Sequence, residues 1–358
     1  MRPLCLIAAL LFLPLHAAES PRVFPLWDGI EPVESYARRV NLPPTKQLDF
    51  GNNVTLDLVL IPAGQFIMGT PEPTEPSVTV GGAWTLCAGG GVLSLVLLLS
   101  LIVKSIRKRK FAFSLLWLLL FTATTGLAVG GYFRVQKAEK ELARYVVEFT
   151  NYQTIPDNEK PAHTVTLTQP FYMGKYTVTQ AQYEALMESN PNAFKGPQLP
   201  VDSASWHDAK AFCAKLNERL GNKAPKANLP TEAQWEFACR AGTTTQFYSG
   251  DQDSDLDAVA WYRENSGGTT HPVGTKKPNA FGIYDMHGHV WQWCRDAYIA
   301  RYEELSSTDP FNDKGEARVL RGGTFDNSPR NCRSAFRTGT SPGFSIGSGF
   351  RVCVPLDF

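Results

Sequence analysis

Hydrophobic and polar residues keep no single period along this chain. Residues 54–61 alternate as a strand, Pro62 to Gly64 read as a turn and 65–69 begin a second strand, so the two are expected to pair as a hairpin. Residues 164–168 and 171–177 alternate as two more strands. Three helix starts follow, each with a hydroxyl at the cap and an amide or carboxylate three residues on: Thr179 with Gln182, Ser205 with Asp208, and Thr231 with Gln234. In the second of these helices Trp206, Ala209, Phe212, Cys213, Leu216 and Leu220 fall on one face and Gly221 stops it, so Cys213 reads as a small core residue. Beyond residue 241 glycine, aspartate and aromatic residues dominate, which predicts short strands and long loops. The pattern is that of an α+β protein with little regular secondary structure. The proline-punctuated residues 19–53 read as a linker.

Two stretches break that pattern. Residues 83–103 and 111–133 are apolar, uncharged and each close to the roughly 20 residues a bilayer requires. Between them stand Lys104, Arg107, Lys108, Arg109 and Lys110, a basic loop that should stay in the cytoplasm. Residues 1–18, with Arg2, an apolar run and Ala17-Ala18, have the form of a secretory signal peptide. Both features place the remainder outside the cytoplasm and tether it to the lipid of the inner membrane. The expected organisation is a signal peptide (1–18), a linker (19–53), the first part of a folded domain (54–82), a transmembrane helical hairpin (83–133), a stalk (134–159) and the main part of the domain (160–358).

Composition narrows the chemistry. A formal net charge of +1, with the positive excess held in the basic loop, gives no case for nucleic acid as a partner. Cys5 and Cys87 fall in the signal and the first span, leaving Cys213, Cys239, Cys294, Cys332 and Cys353; an odd set in an exported domain suggests up to two disulfides and a free thiol. His287 and His289 alternate on a loop, but no third ligand of familiar metal spacing follows them. Nucleophile-elbow, phosphate-loop and dinucleotide motifs are absent from the sequence. The C-terminal stretch from Arg321 to Cys353, rich in glycine and arginine, has the composition of an ordered, irregular segment where binding or chemistry sits.

The order of motifs has a parallel. LPTEAQWEFACRAG at 229–242, PNAFGIYDMHGHVWQW at 278–293, RGGTF at 321–325 and GFR at 349–351 together resemble the formylglycine-generating enzyme (sulfatase-modifying factor) family, over residues 54–70 and 160–355. The resemblance implies that family's variant of the C-type lectin fold, interrupted by the transmembrane hairpin. It also implies a reaction, conversion of a sulfatase cysteine to formylglycine at a single copper ion held by two cysteines five residues apart. Cys332 matches the second of those positions, but Asn327 stands at the first. One thiolate is a poor Cu(I) site, so copper is not expected. Cys332 could still be catalytic, its thiol activated by the flanking Arg330 and Arg333, or it could be disulfide-bonded to Cys294. The resemblance further implies a disulfide between Cys239 and Cys353. Calcium is a candidate cofactor: the family's central-loop site would fall on Asp285, Gly288, Val290 and Gln292. With Gln292 where the family has glutamate, one anionic ligand is left and binding would be weak.

Two functions of different class follow. In the first, the domain is a binding module for a protein, peptide or glycan, contacted by Phe325, Asp326, Asn327, Arg330, Phe336 and Phe344 in the C-terminal loops. In the second it is a copper-dependent oxidase acting on an exported sulfatase through Cys332. Further alternatives are a variable binding protein diversified by a retroelement and a structural subunit of a membrane complex.

Overall fold

A computed structural model describes residues 23–73, 140–141, 143–146, 155–192, 194–221, 226–302 and 305–356. Both the signal peptide and the transmembrane hairpin expected from the sequence lie outside these residues. Among the described residues, no helix is long and apolar enough to cross a membrane. The chain divides into two units, Met1–Pro71 with Pro156–Phe358, and Glu72–Ile155. Of the second unit, residues 140, 141 and 143–146 are helical.

The three capping boxes form as the sequence predicts. Helices α2 (Gln180–Met187), α3 (Trp206–Leu220) and α4 (Glu232–Arg240) each begin with a reciprocal pair of hydrogen bonds between the cap and the third helical residue. Such a cap satisfies two backbone donors that the helix cannot, and its hydroxyl is worth ~1 kcal/mol. Of the linker expected at 19–53, the described residues from 23 on contain a helix and a strand instead. Helix α1 (Val33–Val40) buries Val33, Tyr36, Ala37 and Val40, one stripe of a helix, and ends at Asn41 in the left-handed conformation. Strand β1 (Thr45–Asp49) follows it.

The expected hairpin at 54–69 does not form either. Strands β2 (Thr55–Ile61) and β3 (Gly64–Met68) are both present, but Pro62 and Ala63 carry the chain from one sheet to another. Strand β2 lies between β1 and β5 (Phe171–Gly174), and β10 (Cys353–Pro355) closes that sheet in the order β1-β2-β5-β10. Strand β3 pairs antiparallel with β4 (His163–Leu167). The third sheet, β8-β7-β6-β9, is built from Arg337–Thr340, Arg318–Arg321, Trp291–Ala297 and Ser348–Phe350, with β6 and β9 parallel. Helices α2 and α3 pack on each other, and α4 packs on β3, β6 and β7, around one core that includes Phe171, Phe212, Trp235, Trp293 and Phe350.

The folded unit resumes at Pro156, ahead of the residue 160 expected from the sequence. Thr70 N–H donates to Glu159 O at 3.0 Å, so the chain leaves β3 and returns toward β4 at adjacent points. Residues 72–155 are thus inserted between two neighbouring strands, where insertion leaves the surrounding pairing intact.

Candidate functional site

The buried end of the C-terminal stretch is an ionic frame around α4. Glu232 and Glu236, one turn apart at the start of that helix, meet Arg321 from β7 and Arg337 from β8. Arg337 grips Glu232 with Nε and Nη2 at 2.6 and 2.7 Å. Arg321 bonds Glu236, which also pairs with Arg240 at 2.9 Å and accepts from Gly69 N–H at 2.9 Å. Further along, Arg333 grips Glu159 at 2.7 and 2.8 Å, and Arg351 donates to Gln292 Oε1, Gly174 O and Tyr284 O. These five arginines are buried and each is bonded to a carboxylate, carbonyl or amide oxygen of the fold, so they position the loops rather than offer themselves to a ligand.

Cys332 ends a 3-10 turn, Pro329–Cys332, and is wholly buried among Phe247, Leu256, Val259, Ala260 and Tyr262. Burial pushes its thiol up to about 12, the reverse of the activation expected from Arg330 and Arg333. The reason is geometric: Arg333 turns away to Glu159, and Arg330 is exposed. His287 fixes the turn from below, its Nδ1 2.7 Å from Cys332 O and its Nε2 accepting from Tyr248 N–H at 3.1 Å. Burial holds that imidazole down to about 3, so it is neutral, with its proton on Nδ1. Above the thiol, Gly323 sits at φ +80°, where an added Cβ would stand 2.8 Å from Cys332 Sγ. Gly323→Ala is therefore expected to destabilise the protein by ~2–4 kcal/mol, combining backbone strain with overpacking. A denaturant melt of the full-length variant within ~0.5 kcal/mol of the parent would show that the turn yields.

Asn327 is committed to its own loop. Its Oδ1 accepts from Thr324 N–H at 3.0 Å, its N–H donates to Thr324 O at 3.1 Å, and its carbonyl accepts from Arg263 N–H at 3.0 Å. Copper does not fit these residues, with an amide closing a turn at one position and a buried protonated thiol at the other.

The other expected contact residues lie on neighbouring loops. Half-buried Phe325 meets Phe194 edge-on, with ring centres 5.6 Å apart, and its carbonyl accepts from Ser266 Oγ. Exposed Asp326 faces Arg263 at 3.6 Å. Phe336 lies 5.9 Å from the ring of Trp291, whose N–H donates to Gly347 O. Phe344 is half-buried against the core, and Ile346 beside it is 78% exposed. Trp291, Phe194 and Ile346 were not singled out from the sequence. Strand alternation gave no signal for Trp291, because β6 is buried on both faces from Gln292 to Cys294.

At the central loop, Asp285 Oδ2 accepts from Gly274 N–H at 2.8 Å while Oδ1 has no partner and lies 3.9 Å from His289 Nδ1. Gln292 Oε1 accepts from both Trp235 Nε1 and Arg351 Nε at 2.8 Å, and its Nε2 donates to Asp285 O. With one lone pair of Gln292 Oε1 taken by the Trp235 indole and the other by the Arg351 guanidinium, none is left for the ion. The set Asp285, Gly288, Val290 and Gln292 therefore does not fit calcium. Among the described residues, no group of three His, Cys, Asp or Glu could hold a metal ion.

The disulfides expected from the sequence are absent, and Cys213, Cys239, Cys294, Cys332 and Cys353 are all free and buried. Cys353 Sγ points to Gln234 on α4, whereas Cys239, five residues along the same helix, faces His287 and Ser334. Five helical positions turn the two contacts onto different faces. Cys294 lies in the main core and Cys332 in the smaller cluster around Phe247.

With this geometry in place, comparison with known proteins is informative. The sulfatase-modifying factor enzyme 1-like domain matches residues 127–355. Chaperone protein LppX of Paenibacillus barcinonensis is 34% identical over 177 residues, covering 36% of this chain and 63% of that protein. The formylglycine-generating enzyme of Streptomyces coelicolor is 34% identical over 179 residues, covering 45% of this chain and 54% of the enzyme. The chain thus spans less than two thirds of the length of either relative. Among solved structures, Treponema denticola variable protein 1 matches with a TM-score of 0.59 at 22% identity, covering 88% of this chain and 100% of that one, which shows a shared fold. The architecture is a mixed α/β fold like that of the formylglycine-generating enzymes, and the chain belongs to the family of the sulfatase-modifying factor enzyme 1-like domain.

Proposed function

We propose that this protein is an extracytoplasmic module, tethered to the inner membrane through residues 83–133, that binds a protein, peptide or glycan through its C-terminal loops and works without copper or calcium. The observation that carries the reading is the pairing of Asn327, whose carboxamide closes its own turn, with Cys332, whose thiol is sealed in an apolar cluster. A copper oxidase of this family requires two accessible thiolates at those positions. The surface there carries Phe325, Phe336, Phe344 and Ile346, with Trp291 packed on Phe336 and with exposed Asp326 and Arg330 on the same loops, all held by buried ion pairs. Half-exposed aromatic side chains on rigid loops supply contact area at low entropic cost. A relative named for a chaperone role leans the same way, since chaperones act by binding.

The oxidase reading is favoured by the formylglycine-generating enzyme among the relatives, and one titration separates the two. Full-length protein in mild detergent is titrated anaerobically with Cu(I) against a chelating competitor. The module is expected to take up no copper above background. Tight one-to-one binding that is lost in Cys332→Ser would overturn it in favour of the oxidase. In a parallel melt, EGTA is expected to move the thermal midpoint by less than ~1 °C, because a ligand stabilises only a fold that binds it. A fall of several degrees, reversed by added calcium, would restore the metal site.

A further inference from the structure

Away from the aromatic surface, two cations lie over one indole, and the charge of a third acts on them from β6. Trp206 opens α3 and is held in place by its Nε1–H, which donates to Cys294 O in β6 at 2.9 Å. The guanidinium of Arg318, from β7, lies over that ring at 4.5 Å, and Lys210 Nζ, one turn along α3, is 5.7 Å from its centre. Arg295, next to Cys294 on β6, stacks on Phe311 at 3.8 Å. All three cations are half-buried. Burial first, and then the like charges of Arg295 and Arg318, push the Lys210 ammonium below its ordinary range, so the three groups feel one another.

Among the described residues no carboxylate hydrogen-bonds or ion-pairs with any of the three, although the charge of Arg295 acts on Asp296. Neither Arg295 nor Arg318 has a side-chain hydrogen bond or ion pair among the described residues, and the Nε of each is shielded from solvent without an acceptor. Lys210 spends one N–H on Asn228 Oδ1 at 2.6 Å. Asp296 follows Arg295 in sequence, but its two carboxylate oxygens are taken up accepting from Glu232 N–H and Asn312 N–H. The contrast is with Arg333, Arg337 and Arg351, each of which has its acceptors supplied by the fold.

We propose that Lys210, Arg295 and Arg318, walled by Trp206 and Phe311, form a binding site for a dianionic oxyanion of the phosphate class, free or as a monoester. Three positive charges without a carboxylate call for more than one negative charge. Two guanidinium forks and an ammonium from separate elements can reach several oxygens of one tetrahedral group. The indole and the Phe311 ring then flank whatever organic group an ester carries. The site stands independently of the C-terminal loops, and its failure would leave the proposed binding module untouched.

The test uses full-length protein in mild detergent. Its thermal midpoint is followed as inorganic phosphate replaces chloride at constant ionic strength, and separately with O-phosphoserine. A saturable rise is expected, with its half-point moved at least ~10-fold by Arg295→Gln combined with Arg318→Gln. Arg295→Lys with Arg318→Lys keeps the charge but loses the forks, and should give an intermediate shift; circular dichroism establishes that each variant is folded. A tighter half-point for phosphoserine than for phosphate would mark an esterified ligand, and the reverse a free ion. No rise, or a rise linear in concentration and equal in the glutamine variant, is the general effect of an excluded salt and would overturn the site.

Discussion

Cys332 in the native protein is expected to resist iodoacetamide at pH 8 for hours, and to react within minutes once the chain is unfolded. The attacking species is the thiolate, and burial pushes the thiol up to about 12, so only ~1 in 10,000 molecules would carry it at that pH even if reagent could enter. Reagent cannot enter without opening the cluster of Phe247, Leu256 and Val259. The measurement is the labelled fraction of the Cys332 peptide by mass spectrometry, in full-length protein before and after denaturant and without reductant. Each reading of this cysteine gives its own result. An activated thiol labels in the native state, a disulfide labels in neither state, and a buried thiol labels only after unfolding. Rapid native labelling would remove the main support for a module without copper chemistry. Cys213 and Cys239, also pushed up to about 12 by burial, should behave as Cys332 does.

What could be read from the sequence was what neighbouring residues decide among themselves. The caps at Thr179, Ser205 and Thr231 are local exchanges between a hydroxyl and a backbone N–H three residues on, and all three form. The stripe of Val33, Tyr36, Ala37 and Val40 was equally local, but prolines on both sides made the segment look like a linker. Which strand pairs with which was not local. Strands β2 and β3 look like a hairpin because two residues separate them, yet β2 finds β1 and β5, and β3 finds β4 across the whole insertion. The site divides in the same way. Asn327 at a cysteine position could be seen from the chain alone, whereas the environment of Cys332 is set by residues from 247 to 262 and by the distant Glu159 that draws Arg333 away. Lys210, Arg295 and Arg318 come from α3, β6 and β7, and their grouping leaves no trace in sequence spacing.

Loss of Glu236 is expected to cost more than any other single change in the frame. Its carboxylate is wholly buried and serves Arg321, Arg240 and the N–H of Gly69 at once. Glu236→Gln preserves shape but leaves two buried guanidinium groups facing an amide, and removing one partner of a buried pair typically costs ~3–5 kcal/mol. Replacing Arg321 by Met as well should recover part of that loss, because one of the stranded charges goes with it; the two changes are in contact and should not add. The pH dependence follows from the same contacts. Burial pushes the Glu236 carboxyl up, but Arg321, Arg240 and the Gly69 N–H together hold it below its ordinary 4.5. A depressed carboxyl in the folded state means that the unfolded chain binds the proton first on acidification. The stability due to Glu236 is therefore fully present above the ordinary carboxylate range and is lost as pH falls through the folded value. Denaturant melts of the full-length protein from pH 7 down to pH 3 should show the parent losing stability more steeply than Glu236→Gln below about pH 4.5. Parallel curves would mean that the carboxyl is not held down by its arginines. The same result would undo the claim that buried arginines hold the loops in place, since Arg321 carries the first glycine of the turn above Cys332 and, among the described residues, pairs with Glu236 and Glu232 alone.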